Sequence, residues 1–597
     1  MDLHIAKKLR IEIKGQSRVH LLSLLHTKQA SLILVLLLGS VGYWLAPADL
    51  FPGQYTAHIQ VVLPDQTLGA EYPFKLGQSV TDLVRSTTTQ GSYQLIIEGQ
   101  ASFAYTLGAN ITYRLQLLDE NGRVYPLIPD QIISILHGPH YEQLLPATQQ
   151  EDGWMVFTMR VPYKAKVTTS LLFAVATLWL TEVIPLAAAA FLVPIVVVIT
   201  GVTDATTALE PFAHPIIVLF LAGFLLAEGL RRTQTDRLIA LYILHRASLK
   251  PAYLMLTMMS ITAFLSMWMS NTASVAILIP IALAVLEKIP DEAGETGFRR
   301  ALILGVAYAG AIGGIGSAIG TPANILAMTF LSEFNGVEMA FSDWFAYGLP
   351  VVILMVPIIW LYLLFAFRVR LTGLATTFSH DIYKQELNKL GGMKRPQKII
   401  LALFLIIVIL WLTEQWHHLP TAIVALAGAF ILFFSNIIQE TDLRQINWNA
   451  LLTFGGGLAM GTMLVTAGVS DWVALQLTGL ISFPPLLVIL LVAGLTLLAG
   501  AFISNTACAA MLIPLAIPLA RILQIDPRLL VSVVAIASSI DFALVMGTPP
   551  TMMAYATGFF TTKEIFKRGI VLDLIGLLLL SLGVIWIWQW LGVVTLW

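Results

Sequence analysis

The sequence predicts an all-α polytopic membrane protein with two inverted repeats, and three observations lead to this fold class. The chain has 597 residues, of which 57% are hydrophobic and 12% charged, whereas soluble globular proteins carry about 25% charged residues. Apolar runs of spanning length recur toward the C-terminus and predict about 11 spans. Three short motifs also occur twice, in the same order.

The first apolar run, Ala30 to Ala46, follows a basic N-terminal tail. Basic flanks stay on the cytoplasmic side of a membrane, so we expect a cytoplasmic tail over 1–29 and a retained first transmembrane helix over 30–47. The basic loops after later spans fit this orientation and put the C-terminus outside. The sequence therefore predicts a multi-pass protein of the plasma (inner) membrane.

Residues 48–165 differ in character, being polar with short alternating stretches at 92–98 and 111–118. Asn121-Gly122 after the second stretch is typical of a hairpin turn. We predict a small β-rich insertion domain on the extracytoplasmic side. A structural or docking role is the simpler interpretation, and a substrate-capturing module is the alternative.

Several function classes are excluded by composition and missing motifs. The net charge of −1 offers no basic face for nucleic acid. The sequence contains neither a G-x-x-x-x-G-K-[ST] nucleotide loop nor an H-E-x-x-H zinc motif. The single cysteine, Cys508, excludes an intrachain disulfide. No activated nucleophile or paired catalytic groups are evident in the spans, so we expect no enzyme.

The repeated motifs indicate an internal duplication. Trp179-Leu-Thr-Glu182, Ser270-Asn-Thr-Ala273 and Gly320-Thr-Pro322 recur at Trp411, Ser504 and Gly547, which lie 232, 234 and 227 positions further along. An odd number of predicted spans separates the first pair, so the copies have opposite orientations. We assign repeat 1 to 166–367, a cytoplasmic linker to 368–397 and repeat 2 to 398–597. Inverted repeats are common in secondary transporters.

The motifs themselves suit the binding of ions. Each Ser-Asn-Thr lies in the middle of an apolar run, 252–286 or 486–520, which we predict to form a re-entrant hairpin. Polar groups at that depth must be satisfied by protein, water or ligand. Hydroxyl and amide oxygens suit a hard cation, and the corresponding donors suit an oxyanion. Each Gly-Thr-Pro favours a broken helix, whose free carbonyl groups and N-terminus can bind a cation and an anion.

At these residues the chain resembles the divalent-anion:sodium symporter family, which comprises the dicarboxylate, citrate and sulfate carriers of the wider ion transporter superfamily. The resemblance rests on both Ser-Asn-Thr motifs, both Thr-Pro turns, the Trp-Leu-Thr-Glu-x-Ile-Pro segment at 179–185 and Phe454-Gly-Gly-Gly457. It covers nearly everything except 48–165. It implies sodium-coupled symport of a dicarboxylate or another divalent anion, with Na+ as the co-transported ion. It also implies a homodimer working by an elevator-type motion.

The resemblance further implies two sodium sites and a substrate site. One sodium site would use Ser266, Ser270, Asn271 and the backbone near Gly320, and the other Asn505 and the backbone near Ile503 and Gly547. The residues implied to bind the small anion are Ser270, Asn271, Thr272, Thr321, Pro322, Ser504, Asn505, Thr506, Thr548 and Pro549.

Three features depart from the family pattern. Gly500 stands at the position that corresponds to Ser266 and lacks a side-chain oxygen. The turns contain Thr-Pro-Ala-Asn (321–324) and Thr-Pro-Pro-Thr (548–551), where relatives often have Thr-Pro-Pro-Asn. Asp541 is a carboxylate within a predicted span, hence a candidate coupling residue, either a cation ligand or a proton acceptor; the alternative is a carboxyl group that lines water or caps a neighbour. The alternative function is therefore a proton-coupled carrier or an anion exchanger for dicarboxylate, citrate or sulfate.

Overall fold

The computed structural model describes most of the chain. The described residues are 28–46, 53–64, 66–77, 80–104, 109–127, 131–138, 141–145, 149–151, 153–248, 250–287, 296–369 and 381–594. The tail before residue 28 and residues 370–380 of the predicted linker lie outside them. The chain divides into two compact units. Unit 1 comprises residues 1–210, 459–482 and 514–524, and unit 2 comprises 211–458, 483–513 and 525–597.

Helices form most of the described chain outside the region 53–160. In chain order they are α1 (Lys28–Leu45), α2 (Ala165–Thr181), α3 (Leu186–Ile199), α4 (Ala205–Leu209), α5 (Pro215–Arg232), α6 (Thr235–Arg246), α7 (Pro251–Ser266), α8 (Asn271–Leu286), α9 (Thr296–Gly313), α10 (Pro322–Asn335), α11 (Asp343–Ala366), α12 (Asp381–Leu390), α13 (Arg395–Leu412), α14 (Glu414–His417), α15 (Thr421–Phe434), α16 (Trp448–Thr466), α17 (Val469–Gln476), α18 (Pro485–Gly500), α19 (Asn505–Ile522), α20 (Pro527–Ala537), α21 (Pro549–Ala556), α22 (Thr562–Leu578) and α23 (Ile585–Trp590). A π-helical segment, Leu579–Val584, joins the last two.

Within the described ranges, seven helical segments are long and apolar enough to cross a membrane. They are Ala205–Arg232, Thr296–Gly316, Asp343–Ala366, Arg395–Leu412, Trp448–Thr466, Asn505–Ile522 and Thr562–Trp590. Several other apolar helices have between 10 and 17 residues, among them both members of the first predicted hairpin, Pro251–Ser266 and Asn271–Leu286. Short helices of this kind are expected where a run is interrupted inside the bilayer.

Unit 1 contains a nine-stranded sheet between residues 53 and 160. Its strands are β1 (Gly53–Val62), β2 (Thr67–Gly77), β3 (Val80–Gln90), β4 (Tyr93–Ala104), β5 (Asn110–Leu118), β6 (Ile132–Gly138), β7 (Tyr141–Leu145), β8 (Gln149–Glu151) and β9 (Trp154–Arg160). They are ordered β7-β6-β1-β2-β4-β5-β9-β8, with β3 paired to β4. The pairing of β2 with β4 is parallel and the others are antiparallel.

The sheet follows from the alternation of its residues. Along β5 and β9 buried and more exposed positions alternate, and the buried face carries large apolar side chains. Tyr113 and Phe157 stack there with ring centroids 4.9 Å apart. The Asn121-Gly122 turn forms as expected, but it closes only a single bridge between Leu118 and Val124. Strand β5 itself pairs with β4 and β9.

Helices α1 and α2 of unit 1 approach closely at two glycines. Ser170 Oγ donates to the Gly39 carbonyl at 2.8 Å. A β-carbon built at Gly42 would lie 2.8 Å from the Phe173 ring and 2.9 Å from the Thr169 carbonyl oxygen. Small residues that let two backbones approach are typical of helix pairs in membranes.

Unit 2 contains the first Ser-Asn-Thr hairpin and both interrupted helices. Helix α7 packs on α9, and α18 packs on α20. The cysteine, Cys508, lies in the first turn of α19 and is buried, and its thiol donates to the Thr496 carbonyl at 3.5 Å.

Each Trp-Leu-Thr-Glu copy lies at the end of a helix, and its tryptophan indole donates to a carbonyl group at the start of the next helix. In unit 1 Trp179 donates to the Leu186 carbonyl at 3.2 Å. In unit 2 Trp411 donates to the Thr421 carbonyl at 3.1 Å.

Replacing Gly42 with Leu is expected to destabilise the protein, because the added side chain meets backbone and a ring with no free space. Overpacking of this kind costs about 1–3 kcal/mol. The measurement is the thermal midpoint of the purified protein in detergent. Gly39→Ala is the matched control, since its β-carbon would meet Ser170 at an ordinary 3.4 Å. Equal midpoints for Gly42→Leu and the control would contradict the packing described here.

Candidate functional site

The first Ser-Asn-Thr motif lies at the tip of a helical hairpin. Helix α7 ends at Ser266, and α8 begins at Asn271 after a short turn. Ser270 is the N-cap of α8, and its hydroxyl accepts from the Ala273 N–H at 3.3 Å. The side chains of Ser270 and Thr272 are exposed. The tip therefore presents hydroxyl groups and a helix N-terminus to whatever occupies the space outside it.

Below this tip, oxygen atoms gather around Asn271. Ser266 Oγ lies 2.8 Å from Asn271 Oδ1 and 2.6 Å from the Gly310 carbonyl oxygen. A hydroxyl has one hydrogen to donate, so Ser266 can donate to only one of these two oxygens at a time. The Asn271 amide nitrogen donates to the Ala311 carbonyl at 3.3 Å, which directs Oδ1 toward Ser266.

The Gly320 carbonyl belongs to the same cluster. A β-carbon built at Gly314 would lie 2.4 Å from Asn271 Oδ1 and 2.9 Å from the Gly320 carbonyl oxygen. The predicted residues Ser266, Asn271 and Gly320 are therefore brought together, and Gly310 joins them. Hydroxyl, amide and backbone oxygens form the donor set that hard cations such as Na+ prefer.

The interruption between α9 and α10 is held by a side-chain amide. Asn324 Nδ2 lies within hydrogen-bonding distance of the carbonyl oxygens of Gly314 at 3.0 Å, Ile315 at 3.3 Å and Ser317 at 2.7 Å. The Trp344 indole also donates to the Ile315 carbonyl, at 2.9 Å. These donors satisfy carbonyl groups that the broken helix would otherwise leave unpaired in a membrane.

The interruption between α20 and α21 is held by a carboxylate instead. Asp573, on α22, accepts from the backbone N–H groups of Phe542 at 2.8 Å and Ala543 at 3.1 Å. Tyr308, on α9, donates to the Phe542 carbonyl at 2.9 Å. The sequence analysis missed Asp573, although the argument used for Asp541, a carboxylate within an apolar run, applies to it equally.

The two interruptions match in register. Ile315 and Phe542 are 227 positions apart, as are Gly320 and Gly547. A β-carbon at Gly348 would lie 2.1 Å from the Ile315 carbonyl oxygen, and one at Gly569 would lie 2.0 Å from the Phe542 carbonyl oxygen. In both halves, therefore, the following helix presses a glycine against the corresponding carbonyl group.

Asp541 lies inside the second interruption. Its side chain is fully buried, and neither carboxylate oxygen has a hydrogen bond of good geometry to any described residue, although the Leu544 N–H lies nearby. A β-carbon built at Gly547 would lie 1.5 Å from Asp541 Oδ2, so the carboxylate rests directly against the glycine of the second Gly-Thr-Pro motif.

The second Ser-Asn-Thr motif starts helix α19. Ser504 Oγ accepts from the Ala507 N–H at 3.4 Å, as Ser270 does in the first motif. Asn505 Oδ1 is buried and has no hydrogen-bond partner among the described residues. A β-carbon at Gly500 would lie 3.1 Å from the Ser538 carbonyl oxygen. Gly500 therefore faces a carbonyl as Ser266 does, but without the hydroxyl.

The Gly-Thr-Pro segment of each half is followed by a helix that packs on the other half. Helix α21 packs on α8 and α9, and α10 packs on α20. Thr321 and Thr548 are buried, and the Thr548 hydroxyl pairs with that of Thr551 at 2.9 Å. Pro549 is exposed, whereas Pro322, Ile503, Ser504 and Thr506 are half-buried.

Comparison with known proteins gives the chain a family. The model of the sodium:sulfate symporter transmembrane region matches residues 156–594. A sodium-dependent dicarboxylate transporter SdcS from Staphylococcus saprophyticus is 31% identical over 436 residues, which are 69% of this chain and 83% of that protein. A second SdcS, from Staphylococcus aureus, is 31% identical over 453 residues, 72% of this chain and 86% of that protein.

Among solved structures, the Alcanivorax borkumensis YdaH transporter aligns with a TM-score of 0.45 and 15% identity, over 65% of this chain and 88% of that chain. The family match covers both Ser-Asn-Thr motifs and both interrupted helices, and it agrees with the resemblance drawn from those motifs. The chain is therefore a member of the divalent-anion:sodium symporter family.

Proposed function

We propose that the protein is a secondary active transporter that couples the movement of a dicarboxylate, or another divalent anion, to sodium. The observation that carries this proposal is the cluster of neutral oxygens around Asn271, which lies directly beneath a helix N-terminus with exposed hydroxyl groups. The names of the family relatives, sodium-dependent dicarboxylate transporters, support the same pairing of ion and substrate.

The first sodium ion would bind among Ser266, Asn271 and the carbonyl groups of Gly310 and Gly320. All of these ligands are uncharged, so a bound cation would keep its full positive charge within the site. The apolar runs 252–286, 301–330, 486–520 and 529–560, which hold the motifs, contain no Lys or Arg. The co-bound cation would therefore be a main source of positive charge for a dianion, together with the helix N-termini.

The substrate would bind outside the buried oxygens, at the exposed part of the motifs. Ser270 and Thr272 are exposed, and Ser504 and Thr506 are half-buried, so their hydroxyls are the reachable donors. Thr321 and Thr548 are buried, which favours a contribution from the helix starts that follow them, at Pro322 and Pro549, over their own hydroxyls.

The matching contacts of the two halves support an origin as inverted repeats, 166–367 and 398–597. In this proposal the hairpins and broken helices move together in an elevator-type motion within a homodimer, as the family resemblance implies. The basic N-terminal tail favours a cytoplasmic N-terminus, with the sheet domain and the C-terminus on the other side.

The proposal is tested by uptake of labelled succinate into proteoliposomes, with and without an inward sodium gradient, at two pH values. We expect accumulation only with sodium. Uptake driven by a pH gradient or by internal anion, and unaffected by sodium, would contradict sodium coupling. Sulfate and citrate as competing anions would report the substrate class.

Asn271→Ala and Asn505→Ala are each expected to abolish sodium-dependent uptake. Each substitution removes an amide whose oxygen would bind the cation and whose N–H groups would donate to the anion. The protein should still fold, since neither side chain fills the apolar core. Asn388→Ala, an exposed asparagine of helix α12, is the matched control and should transport normally. Transport retained in both site variants would contradict the site assignment.

Ser266→Ala is expected to raise the sodium concentration needed for half-maximal uptake by about tenfold, because it removes one oxygen ligand. The maximal rate at saturating sodium should change less, since the serine is buried away from the exposed hydroxyls. The measurement is the sodium dependence of the initial uptake rate. An unchanged sodium dependence would remove Ser266 from the proposed cation site.

A further inference from the structure

The two interrupted segments differ at one corresponding position. Gly314 precedes Gly320 by six residues, and Asp541 precedes Gly547 by six residues. The neighbours at the next position, Ile315 and Phe542, share one contact, since each carbonyl group faces a glycine of the following helix. Gly314 and Asp541 are therefore structurally equivalent.

In the first half this position points into the oxygen cluster. A β-carbon built at Gly314 would meet Asn271 Oδ1 and the Gly320 carbonyl oxygen before any other atom. A side chain here would therefore reach the centre of the proposed sodium site. In the second half a carboxylate occupies the same position, and it lies against Gly547, the equivalent of Gly320.

The second half also lacks the hydroxyl of the first. Ser266 donates to Asn271 Oδ1, whereas its counterpart is Gly500 and Asn505 Oδ1 has no partner among the described residues. Three buried acceptor oxygens, two from Asp541 and one from Asn505, thus have no hydrogen-bond donor of good geometry within the described chain. A buried carboxylate in this condition is strongly unfavourable unless a cation or a proton compensates it.

We infer that Asp541 is a direct ligand of the second transported cation, in a carboxylate-containing site that it forms with Asn505 Oδ1 and the backbone at Gly547; this inference rests on the proposed function. Asp541 replaces the hydroxyl that Gly500 lacks. The second site is then negatively charged when empty and neutral when it holds a monovalent cation, whereas the first site is neutral when empty.

The groups around Asp541 favour a bound cation, rather than another side chain, as the group that neutralises its carboxylate. Asp573 is near enough to interact with it electrostatically, but its carboxylate is itself occupied with two backbone N–H groups. Tyr308 is also near, and its hydroxyl donates to the Phe542 carbonyl. Neither group neutralises Asp541. The nearby Asp573 carboxylate adds to the negative potential that attracts a cation.

The test measures sodium binding separately from transport. Thermal stabilisation of the purified protein by sodium, without anion and at constant ionic strength with N-methyl-D-glucamine, is compared between wild type and Asp541→Asn. We expect the half-saturating sodium concentration to rise by about tenfold or more in the variant, because the cation affinity of a site built from oxygen ligands depends on how many of those ligands are charged. Asp82→Asn, an exposed carboxylate of the sheet, is the matched control.

A second substitution tests the replacement directly. Gly500→Ser in the Asp541→Asn background should recover part of the lost sodium affinity, since its hydroxyl would face the Ser538 carbonyl as Ser266 faces that of Gly310. If Asp541→Asn fails to fold, Asp541→Glu carries the test, because it keeps the carboxylate but moves its oxygens. The half-saturating sodium concentration should then change, and an unchanged value would overturn the inference.

The outcomes separate the inference from the proposed function. Sodium-dependent uptake by the wild type, with sodium binding unchanged in Asp541→Asn, overturns the inference and leaves the function standing. Weakened sodium binding in the variant, with no anion uptake by the wild type, supports the site and rejects the function. Unchanged sodium affinity with altered pH dependence of uptake would identify Asp541 as a proton site, which also overturns the inference.

Discussion

The architecture of unit 2 depends on satisfying the backbone groups that two interrupted helices release within an apolar environment. Each unpaired carbonyl or N–H group there would cost several kcal/mol. The first interruption is held by an amide donor, Asn324, which lies against three carbonyl groups. The second is held by an acceptor, Asp573, which takes two N–H groups. The same backbone problem is solved with opposite chemistry in the two halves.

This difference fits the electrostatics of the two halves. The first half contains only neutral groups around Asn271, and its hydroxyl and amide donors are matched to carbonyl acceptors. At the second interruption lie two carboxylates, Asp541 and Asp573, of which only Asp573 has hydrogen bonds of good geometry to described residues. The two interrupted segments thus differ in charge, while in each a carbonyl group faces a glycine of the following helix.

Much of the site could be predicted from the sequence. The polar Ser-Asn-Thr centre within each apolar run predicted a hairpin, and the structure begins a helix at Asn271 and another at Asn505, each directly after a serine. The Gly-Thr-Pro motifs likewise marked helix starts at Pro322 and Pro549. The family resemblance drawn from these motifs is confirmed by the family match.

Other features needed three-dimensional structure. The approach of Gly310 to Ser266 and of Gly320 to Asn271 depends on how α7 and α8 pack on α9, and no spacing in the sequence reports it. The partners of Asp573 are backbone groups about thirty residues earlier, and backbone groups leave no residue signature. The order of the strands in the sheet could not be predicted from the sequence either. Strand β2 pairs in parallel with β4, although β3 lies between them in the chain.

The cysteine content has a practical consequence. The sequence contains one thiol, Cys508, and it is buried with its sulfur donating to the Thr496 carbonyl. Maleimide and nitroxide reagents attack accessible thiolates, so the native protein should react slowly in its folded form. A second cysteine placed at an exposed position would therefore be labelled almost alone. Pairs of cysteines can therefore be introduced without first removing Cys508, and the distance between the two labels can be measured by fluorescence or electron spin resonance.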